Sequence, residues 1–287
     1  MSIAATQTIA PRPSPRPAVL VVDDIVKHFE TPEGVATAVD HVSFDVRQGE
    51  FLAVIGPSGC GKSTLFNIIG GLLDGYQGQV TIAGETVTGP HPSIGMVFQE
   101  ESTFPWRTVL DNVAFPLEIA GMAKAERSER ARHFVSLVGL DGFERRYPAE
   151  LSGGMRQRVS MARTLASQPK IMLMDEPFGA LDEQTRLLLG DKVLQIQQEL
   201  DQTTLLITHN ITEAVQLSDR ILVMTYRPGR LKRMVEIKLP RPRTSEIVSS
   251  EAFGRYVAQI WADLREEATL GLRDDEAQKL LHRGVHP

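Results

Sequence analysis

Short apolar runs of strand length recur along the chain and predict a parallel β-sheet. Residues 51–55 and 203–207 are continuous apolar or β-branched runs, and residues 170–174 are apolar after an initial lysine, a pattern typical of strands buried on both faces. A helical pattern over residues 183–200 separates the last two runs. Strands that alternate with helices in this way favour parallel pairing through crossover connections. Two later strands are predicted at residues 220–225 and 233–239.

Other patterns surround this predicted sheet. Residues 19–29 and 42–46 are rich in strand-forming residues, and the turn-forming Thr31-Pro32-Glu33-Gly34 lies between them, so we expect antiparallel strands here. Residues 79–84 predict another short strand. Between about Val109 and Leu140 the pattern becomes helical. We therefore expect an α-helical insert, bounded at about residues 100–165.

The C-terminal part of the chain predicts one more helix. One helical face beyond residue 243 is apolar, and it holds Phe253, Tyr256, Val257, Ile260, Trp261 and Leu264. We expect this face to dock on the main body in preference to binding a partner. The chain is accordingly divided into a proline-rich tail over residues 1–18, a main body over residues 19–239 and a C-terminal helical extension over residues 240–287.

Composition excludes some classes of protein. The 287 residues carry a formal net charge of -5, which argues against a broad basic surface for nucleic acid. No apolar run has the 18 or more residues that a membrane span needs. Residues 1–18 lack the apolar centre of a signal peptide, so we expect a disordered, extended tail. The one cysteine, Cys60, cannot form an internal disulfide, which fits a reducing compartment.

The most specific motif follows the strand at residues 51–55. It reads Gly56-Pro57-Ser58-Gly59-Cys60-Gly61-Lys62-Ser63-Thr64 and matches the phosphate-binding pattern GxxxxGK[ST] between a strand and a helix. The glycines let successive backbone N–H groups turn toward phosphate oxygens, Lys62 reaches the β/γ-phosphates, and the Ser63 hydroxyl ligates Mg²⁺. The chain is therefore predicted to bind a nucleotide. The motif alone leaves GTPases, kinases and ATPases open.

A pair of carboxylates ends the strand at residues 170–174. Asp175 and Glu176 are expected at the carboxyl edge of a parallel sheet, where ligands bind. Asp175 suits the Mg²⁺ shell, and Glu176 suits orienting or deprotonating an attacking water. Considered alone, the two carboxylates could equally interact with helix dipoles or pair with surface lysines.

A second glycine-rich string decides between these interpretations. Leu151-Ser152-Gly153-Gly154-Met155-Arg156-Gln157 precedes a helix and resembles the signature of ATP-binding cassette (ABC) ATPases. The resemblance covers about residues 19–239. It implies an α/β P-loop NTPase (RecA-like) core with an antiparallel β subdomain and an inserted α-helical subdomain. It also implies that Ser152, Gly153 and Gly154 contact the γ-phosphate of ATP held by a second cassette subunit, for which a helix N-terminus is suited.

Further family elements occur in the expected order. The resemblance assigns Gln99 a role in catalysis and in binding Mg²⁺, which this glutamine links to a transport subunit. It places Asp182, in Ala180-Leu181-Asp182, in the loop that crosses the dimer interface, and His209 near the γ-phosphate. Phe29 occupies the position of the ring that stacks on adenine, although a core role for Phe29 stays open.

Two sequence segments indicate the kind of ABC protein. Residues 175–182 and residues 103–113 are similar to the corresponding segments of bacterial importer ATPases. The segment at residues 103–113 is similar to those of the nitrate, sulfonate, taurine and bicarbonate group. This resemblance implies an ATPase on the cytoplasmic side of the inner membrane. The partners it implies are a second ATPase subunit, expected to be a copy of this chain, separate permease subunits and, indirectly, a periplasmic solute-binding protein. The alternatives are a soluble ABC ATPase without a transport role and a small-molecule kinase. Trp106 and Arg107 could line the groove for the permease, or Trp106 could pack internally.

Overall fold

The computed structural model describes residues 16–32, 34–99, 102–179 and 181–283, with side chains described as far as residue 271. The strands in chain order are β1 (Ala18–Thr31), β2 (Gly34–Arg47), β3 (Phe51–Ile55), β4 (Gln77–Ile82), β5 (Glu85–Thr86), β6 (Ile94–Val97), β7 (Ile171–Asp175), β8 (Thr203–Thr208), β9 (Arg220–Met224) and β10 (Leu231–Glu236). The helices are α1 (Lys62–Ile69), α2 (Val109–Ile119), α3 (Lys124–Leu137), α4 (Gly153–Ala166), α5 (Glu183–Leu200), α6 (Ile211–Leu217) and α7 (Glu251–Arg283).

A six-stranded sheet in the order β10-β9-β3-β8-β7-β6 forms the centre of the molecule. Its neighbours pair in parallel, except that β10 is antiparallel to β9. The predicted parallel sheet is thus confirmed. The edge strand β6 was missed, because its four residues include Gly95, a residue that rarely marks a strand. A Cβ atom at Gly95 would lie 2.5 Å from the side chain of Thr164.

The two faces of this sheet pack against separate cores. In β3, Phe51, Ala53 and Ile55 belong to the core on the helical side. Leu52 and Val54 belong to the core shared with the antiparallel sheet. Successive side chains of a strand point to opposite faces, so a strand covered on both sides must be apolar throughout.

The antiparallel sheet has the strand order β2-β1-β4-β5. Its β1–β2 pairing confirms the antiparallel strands predicted before residue 50.

The helices of the insert form a separate group. α2, α3 and α4 pack on one another and confirm the predicted helical insert. Thr108 caps α2, since its side chain accepts a hydrogen bond from the Asp111 N–H.

The C-terminal helix α7 docks on the main body. Phe253 and Ile260 are buried in the core on the helical side, and Tyr256, Val257 and Leu264 pack against it. The docking prediction is confirmed for these five residues. It is wrong for Trp261, which is 58% exposed, because the turn of the helix carries it away from the face of Ile260.

Two findings bear on the ends of the chain and on membranes. Arg16, in the segment predicted as a tail, lies with Nη1 2.5 Å from Oδ1 of Asp201. Residues 1–15, on which most of that prediction falls, lie outside the described residues. Among the described helices, none is both long enough and apolar enough to cross a bilayer.

Candidate nucleotide site

The loops that leave three neighbouring parallel strands meet at one edge of the central sheet. Ile55 of β3 pairs with Thr208 of β8, and Asp175 of β7 pairs with Ile207. The three strand ends therefore lie within one residue of each other. The phosphate-binding motif follows β3, and the predicted glutamate and histidine follow the other two strands. Ligands of open α/β sheets bind at this edge.

The phosphate-binding motif forms a tight loop around the ammonium of Lys62. Gly59 and Gly61 have φ values of 72° and 95°, a backbone region that favours glycine. Nζ of Lys62 donates hydrogen bonds to the carbonyl oxygens of Gly56 at 2.8 Å and Pro57 at 2.9 Å. Because α1 begins at Lys62, the loop joins a fixed cation to the positive end of a helix.

Ser63 and Asp175 form the part of the site that suits a divalent cation. Burial raises the pKa of the Asp175 carboxyl, the charge of Glu176 raises it further, and Lys62 and a hydrogen bond from Ser63 oppose this rise. A divalent cation would relieve the repulsion between the two carboxylates. A hydroxyl and a carboxylate are oxygen donors of the kind that Mg²⁺ prefers. The residues present therefore fit Mg²⁺.

This cation site has few protein ligands. Within the part of the chain that the structure describes, no group of three or more His, Cys, Asp or Glu side chains could hold a metal ion. Mg²⁺ is commonly held by one or two protein groups together with substrate phosphates and water.

Glu176 and His209 face each other across the site. Oε2 of Glu176 lies 3.0 Å from Nδ1 of His209, and the glutamate side chain is 20% exposed against 59% for the histidine. Glu176 has a φ of 43°, and its N–H donates to the Ile207 carbonyl at 2.8 Å. A non-glycine residue in this backbone region costs about 1–3 kcal/mol, so the contact with β8 holds the carboxylate in a strained position.

Gln99 approaches the same carboxylate from the end of β6. A Cβ atom at Gly179 would lie 3.9 Å from Oε2 of Glu176 and 4.0 Å from Nε2 of Gln99. The Gln99 side chain is exposed. Gln99, Glu176 and the segment after β7 are therefore brought together by the fold.

Phe29 lies on β1, and its partner residue on β2 is two residues from a contact with the phosphate-binding motif. It pairs with Ala36 of β2, and a Cβ atom at Gly61 would lie 2.5 Å from the carbonyl oxygen of Ala38. The Phe29 ring is 39% exposed, with Nζ of Lys27 5.1 Å from its centroid. An exposed ring leaves a π-face free for stacking and disfavours the core role.

Ser152, Gly153 and Gly154 start α4 rather than joining the phosphate-binding motif. Oγ of Ser152 accepts a hydrogen bond from the Met155 N–H at 3.4 Å. A Cβ atom at Gly154 would lie 3.4 Å from the Thr185 side chain. These contacts connect the string to the start of α5.

Asp182 caps α5 at the same place. Its carboxylate accepts hydrogen bonds from the Thr185 N–H at 2.9 Å and the Thr185 hydroxyl at 2.6 Å, and both lower the pKa of Asp182. Ala180, which belongs to the same predicted loop, lies outside the described residues.

Comparison with known proteins agrees with this arrangement. The sequence model of the ABC transporter family matches residues 39–179. An uncharacterized ABC transporter ATP-binding protein of Methanocaldococcus jannaschii is 48% identical over 254 residues, which are 88% of this chain and 94% of that protein. The chain belongs to the ABC transporter ATP-binding family. As members of this family are ATPases, the protein is an ATP-binding ATPase.

Two other relatives are named as import ATP-binding proteins. The nitrate import ATP-binding protein NrtD of Synechocystis is 41% identical over 256 residues, covering 87% of this chain and 96% of that protein. The aliphatic sulfonates import ATP-binding protein SsuB of Bacillus cereus is 41% identical over 238 residues, covering 83% and 94%.

Solved ABC cassettes share the fold. A dimeric ATP-binding cassette in a post-hydrolysis state with ADP and Pi has a TM-score of 0.66 at 32% identity, covering 77% of this chain and 99% of that chain. The cbiO1 protein of Clostridium perfringens, part of an ABC transporter complex, has a TM-score of 0.71 at 24% identity, covering 88% and 98%. The predicted fold class of an ABC-type P-loop NTPase is thus confirmed.

The sequence reasoning missed a buried acid behind the site of this ABC ATPase. Glu213 is buried in the first turn of α6, where Oε2 accepts a hydrogen bond from the Thr208 hydroxyl at 3.2 Å and Oε1 has no hydrogen-bond partner among the described residues. Burial raises the pKa of Glu213 to about 8, against the opposing effects of Thr208 and Arg186. Glutamate at a helix start is common, so the sequence carried no signal of its burial.

Proposed function

We propose that this chain is the motor subunit of a bacterial importer, which couples ATP binding and hydrolysis to the uptake of nitrate, a sulfonate, taurine or a similar small solute through a separate permease. The observation that carries the ATPase part is the Glu176–His209 pair at 3.0 Å beside Asp175 and the phosphate-binding motif. The relatives named for nitrate and sulfonate import support the transport part over an ABC ATPase without a transport role.

In the proposed site, backbone N–H groups of residues 56–64 surround the phosphates and Lys62 neutralises them. Ser63, Asp175 and Gln99 would hold Mg²⁺, which neutralises charge on the phosphate oxygens as the phosphoryl group is transferred. The ring of Phe29 stacks on adenine.

Glu176 is proposed as the group that orients or deprotonates the attacking water. Its carboxylate is largely buried and is fixed by the backbone contact with Ile207, so it can accept a proton without reorganising. His209 can donate from Nδ1 to Glu176 and present its other nitrogen to the γ-phosphate. Hydrolysis then needs the Ser152–Gly154 helix start of a second chain to close on the γ-phosphate, with Asp182 at the interface.

The permease is proposed to dock beside the helical insert. A groove of about 560 Å³ lies between β6, α2 and α4, and its lining includes Met96, Phe104, Ile119 and Arg163. Trp106 is 72% exposed, so it is not packed internally, and Arg107 is paired with Glu118 at 2.9 Å. Exposed aromatic and arginine side chains beside an apolar groove are typical of binding hot spots. With this partner, the chain is proposed to lie on the cytoplasmic face of the inner membrane, with a periplasmic binding protein acting indirectly.

Reconstitution tests this function. The chain should co-purify with a separate permease and, in vesicles, the complex should take up nitrate or a sulfonate only with ATP. A complex of permease with the Glu176→Gln chain is the control and should bind solute without accumulating it. An active ATPase that binds no membrane subunit would contradict the transport proposal and favour the alternative.

A further inference from the structure

The turn between β9 and β10 lies directly against the phosphate-binding motif. A Cβ atom at Gly229 would lie 2.0 Å from the Cys60 carbonyl oxygen. This distance is too short for any side chain, so only glycine fits at this position. The Gly229 N–H donates to the Ala38 carbonyl at 3.1 Å, and its own carbonyl accepts from the Asp40 N–H at 2.9 Å. The turn is therefore fixed to β2 on one side and touches the motif on the other.

Arg227 reaches from this turn onto the outer side of the motif. Its Nε donates a hydrogen bond to the Gly59 carbonyl oxygen at 3.1 Å. A peptide unit is planar and its C=O and N–H point in opposite directions. Holding the Gly59 oxygen outward therefore fixes the direction of the Cys60 N–H. That N–H donates to the Pro57 carbonyl oxygen at 3.4 Å inside the motif, so the guanidinium acts on the backbone shape of the motif from its outer side.

Glu267 of α7 holds the other end of the turn. This glutamate is buried, at 6% exposure. Its Oε2 accepts a hydrogen bond from the Tyr226 N–H at 2.8 Å and its Oε1 accepts one from Nζ of Lys232 at 2.7 Å. The Tyr226 ring lies 2.9 Å from where a Cβ atom of Gly271 would be. The carboxylate thus anchors the residue next to Arg227.

We propose that Arg227 is a positioning residue of the phosphate-binding motif and that Glu267 of the C-terminal helix holds it in place. The proposal rests on the nucleotide site assigned above. It gives the C-terminal helix a function in nucleotide affinity, because α7, the β9–β10 turn and the motif form one chain of contacts. The expected signature is weaker nucleotide binding with little change in the rate of the chemical step.

The test compares full-length variants by calorimetry with Mg²⁺–ADP and by steady-state ATPase assay. Arg227→Ala should raise the Kd for ADP and the KM for ATP about threefold to tenfold, the range expected for one ordinary hydrogen bond, because the guanidinium acts on the motif and not on the nucleotide. The value of kcat should stay within about twofold of wild type, and Arg227→Lys should recover part of the affinity. Lys238→Ala, which removes an exposed cation that pairs with Glu236 at 3.0 Å, is the control and should change neither.

A double-mutant cycle tests the link to α7. Glu267→Gln should weaken ADP binding in the wild-type background and have no further effect in Arg227→Ala, since coupled residues are not additive. Additive effects would contradict the role of Glu267. Unchanged Kd and KM in Arg227→Ala, with a wild-type chain that binds ADP, would overturn the proposal alone. A wild-type chain that binds no ADP would overturn the proposed function as well.

Discussion

Oε2 of Glu176 and Nδ1 of His209 lie 3.0 Å apart although they follow different strands of the central sheet. Parallel pairing of β7 with β8 brings them together, because Asp175 pairs with Ile207 and the two residues that follow these strands face the same edge. A base fixed by a second side chain is the arrangement that general base catalysis needs. The pair is therefore the first target for mutation.

Glu176→Gln should abolish most hydrolysis while preserving binding. The amide keeps the size of the side chain but cannot accept a proton, so turnover should fall about 10²–10⁴-fold with the affinity for ATP nearly unchanged. Phosphate release and calorimetry measure the two quantities. Glu126→Gln, on the exposed side of α3, is the matched control. A Glu176→Gln chain that keeps half of the wild-type rate would remove Glu176 from this role.

Lys62→Ala should weaken binding and hydrolysis together. The variant removes the ammonium that Gly56 and Pro57 hold inside the motif. Loss of a charged hydrogen-bond partner predicts an affinity for ATP about tenfold to a hundredfold lower. Calorimetry gives the affinity, and thermal unfolding checks that the fold is retained. Unchanged affinity with intact Mg²⁺ dependence would count against the assignment.

Glu213→Gln should stabilise the protein increasingly as the pH rises. Below the ordinary pKa of 4.5 the side chain is protonated in both states; between 4.5 and about 8 only the unfolded chain loses the proton, so folded wild type loses stability with rising pH. Each unit of pKa difference corresponds to about 1.4 kcal/mol. Glutamine does not titrate, so its advantage should grow from pH 5 to pH 8 and then level off.

Urea unfolding at pH 5.5, 7 and 8.5 measures this difference. Glu236→Gln is the control, because Lys238 lowers the pKa of the exposed Glu236 carboxyl. Removing this carboxylate should not stabilise the chain at high pH. A constant difference between Glu213→Gln and wild type across this range would show that Glu213 ionises normally.

Two inactive chains should restore one active site on mixing. Lys62→Ala lacks the cation of the motif, and Ser152→Arg blocks the helix start that is proposed to close on the partner's ATP. A mixed dimer holds one intact site, so a random mixture should recover on the order of a quarter of the wild-type rate if the sites act independently. Activity of either variant alone as a monomer at high dilution would contradict the dimeric mechanism.

Trp106→Ala should weaken association with the permease and leave nucleotide affinity unchanged. The ring is exposed beside the groove and packs on Phe104, with centroids 5.5 Å apart. Loss of an aromatic hot spot of about 2 kcal/mol predicts roughly thirtyfold weaker binding. Trp261→Ala, an exposed tryptophan on α7, is the matched control and should bind the permease normally. Equal losses in both variants would contradict the proposed docking site.

The sequence by itself determined the fold class and the members of the proposed site. Strand β3 is apolar at every position because both of its faces are covered, so it was visible as a continuous run before the phosphate-binding motif. The motif carries its chemistry in local spacing, since consecutive N–H groups and Lys62 act within one loop and one helix start. Local patterns of this kind need no knowledge of distant residues.

Only the tertiary structure decided which distant residues share an environment. Trp261 lies on the predicted apolar face of α7 yet is exposed, whereas Glu213 is a charged residue in sequence and is buried beside Thr208. The contact of Arg227 with Gly59 depends on the pairing of β9 with β3. Burial and long-range contacts arise from how elements pack, and side-chain type and spacing constrain that packing only in part.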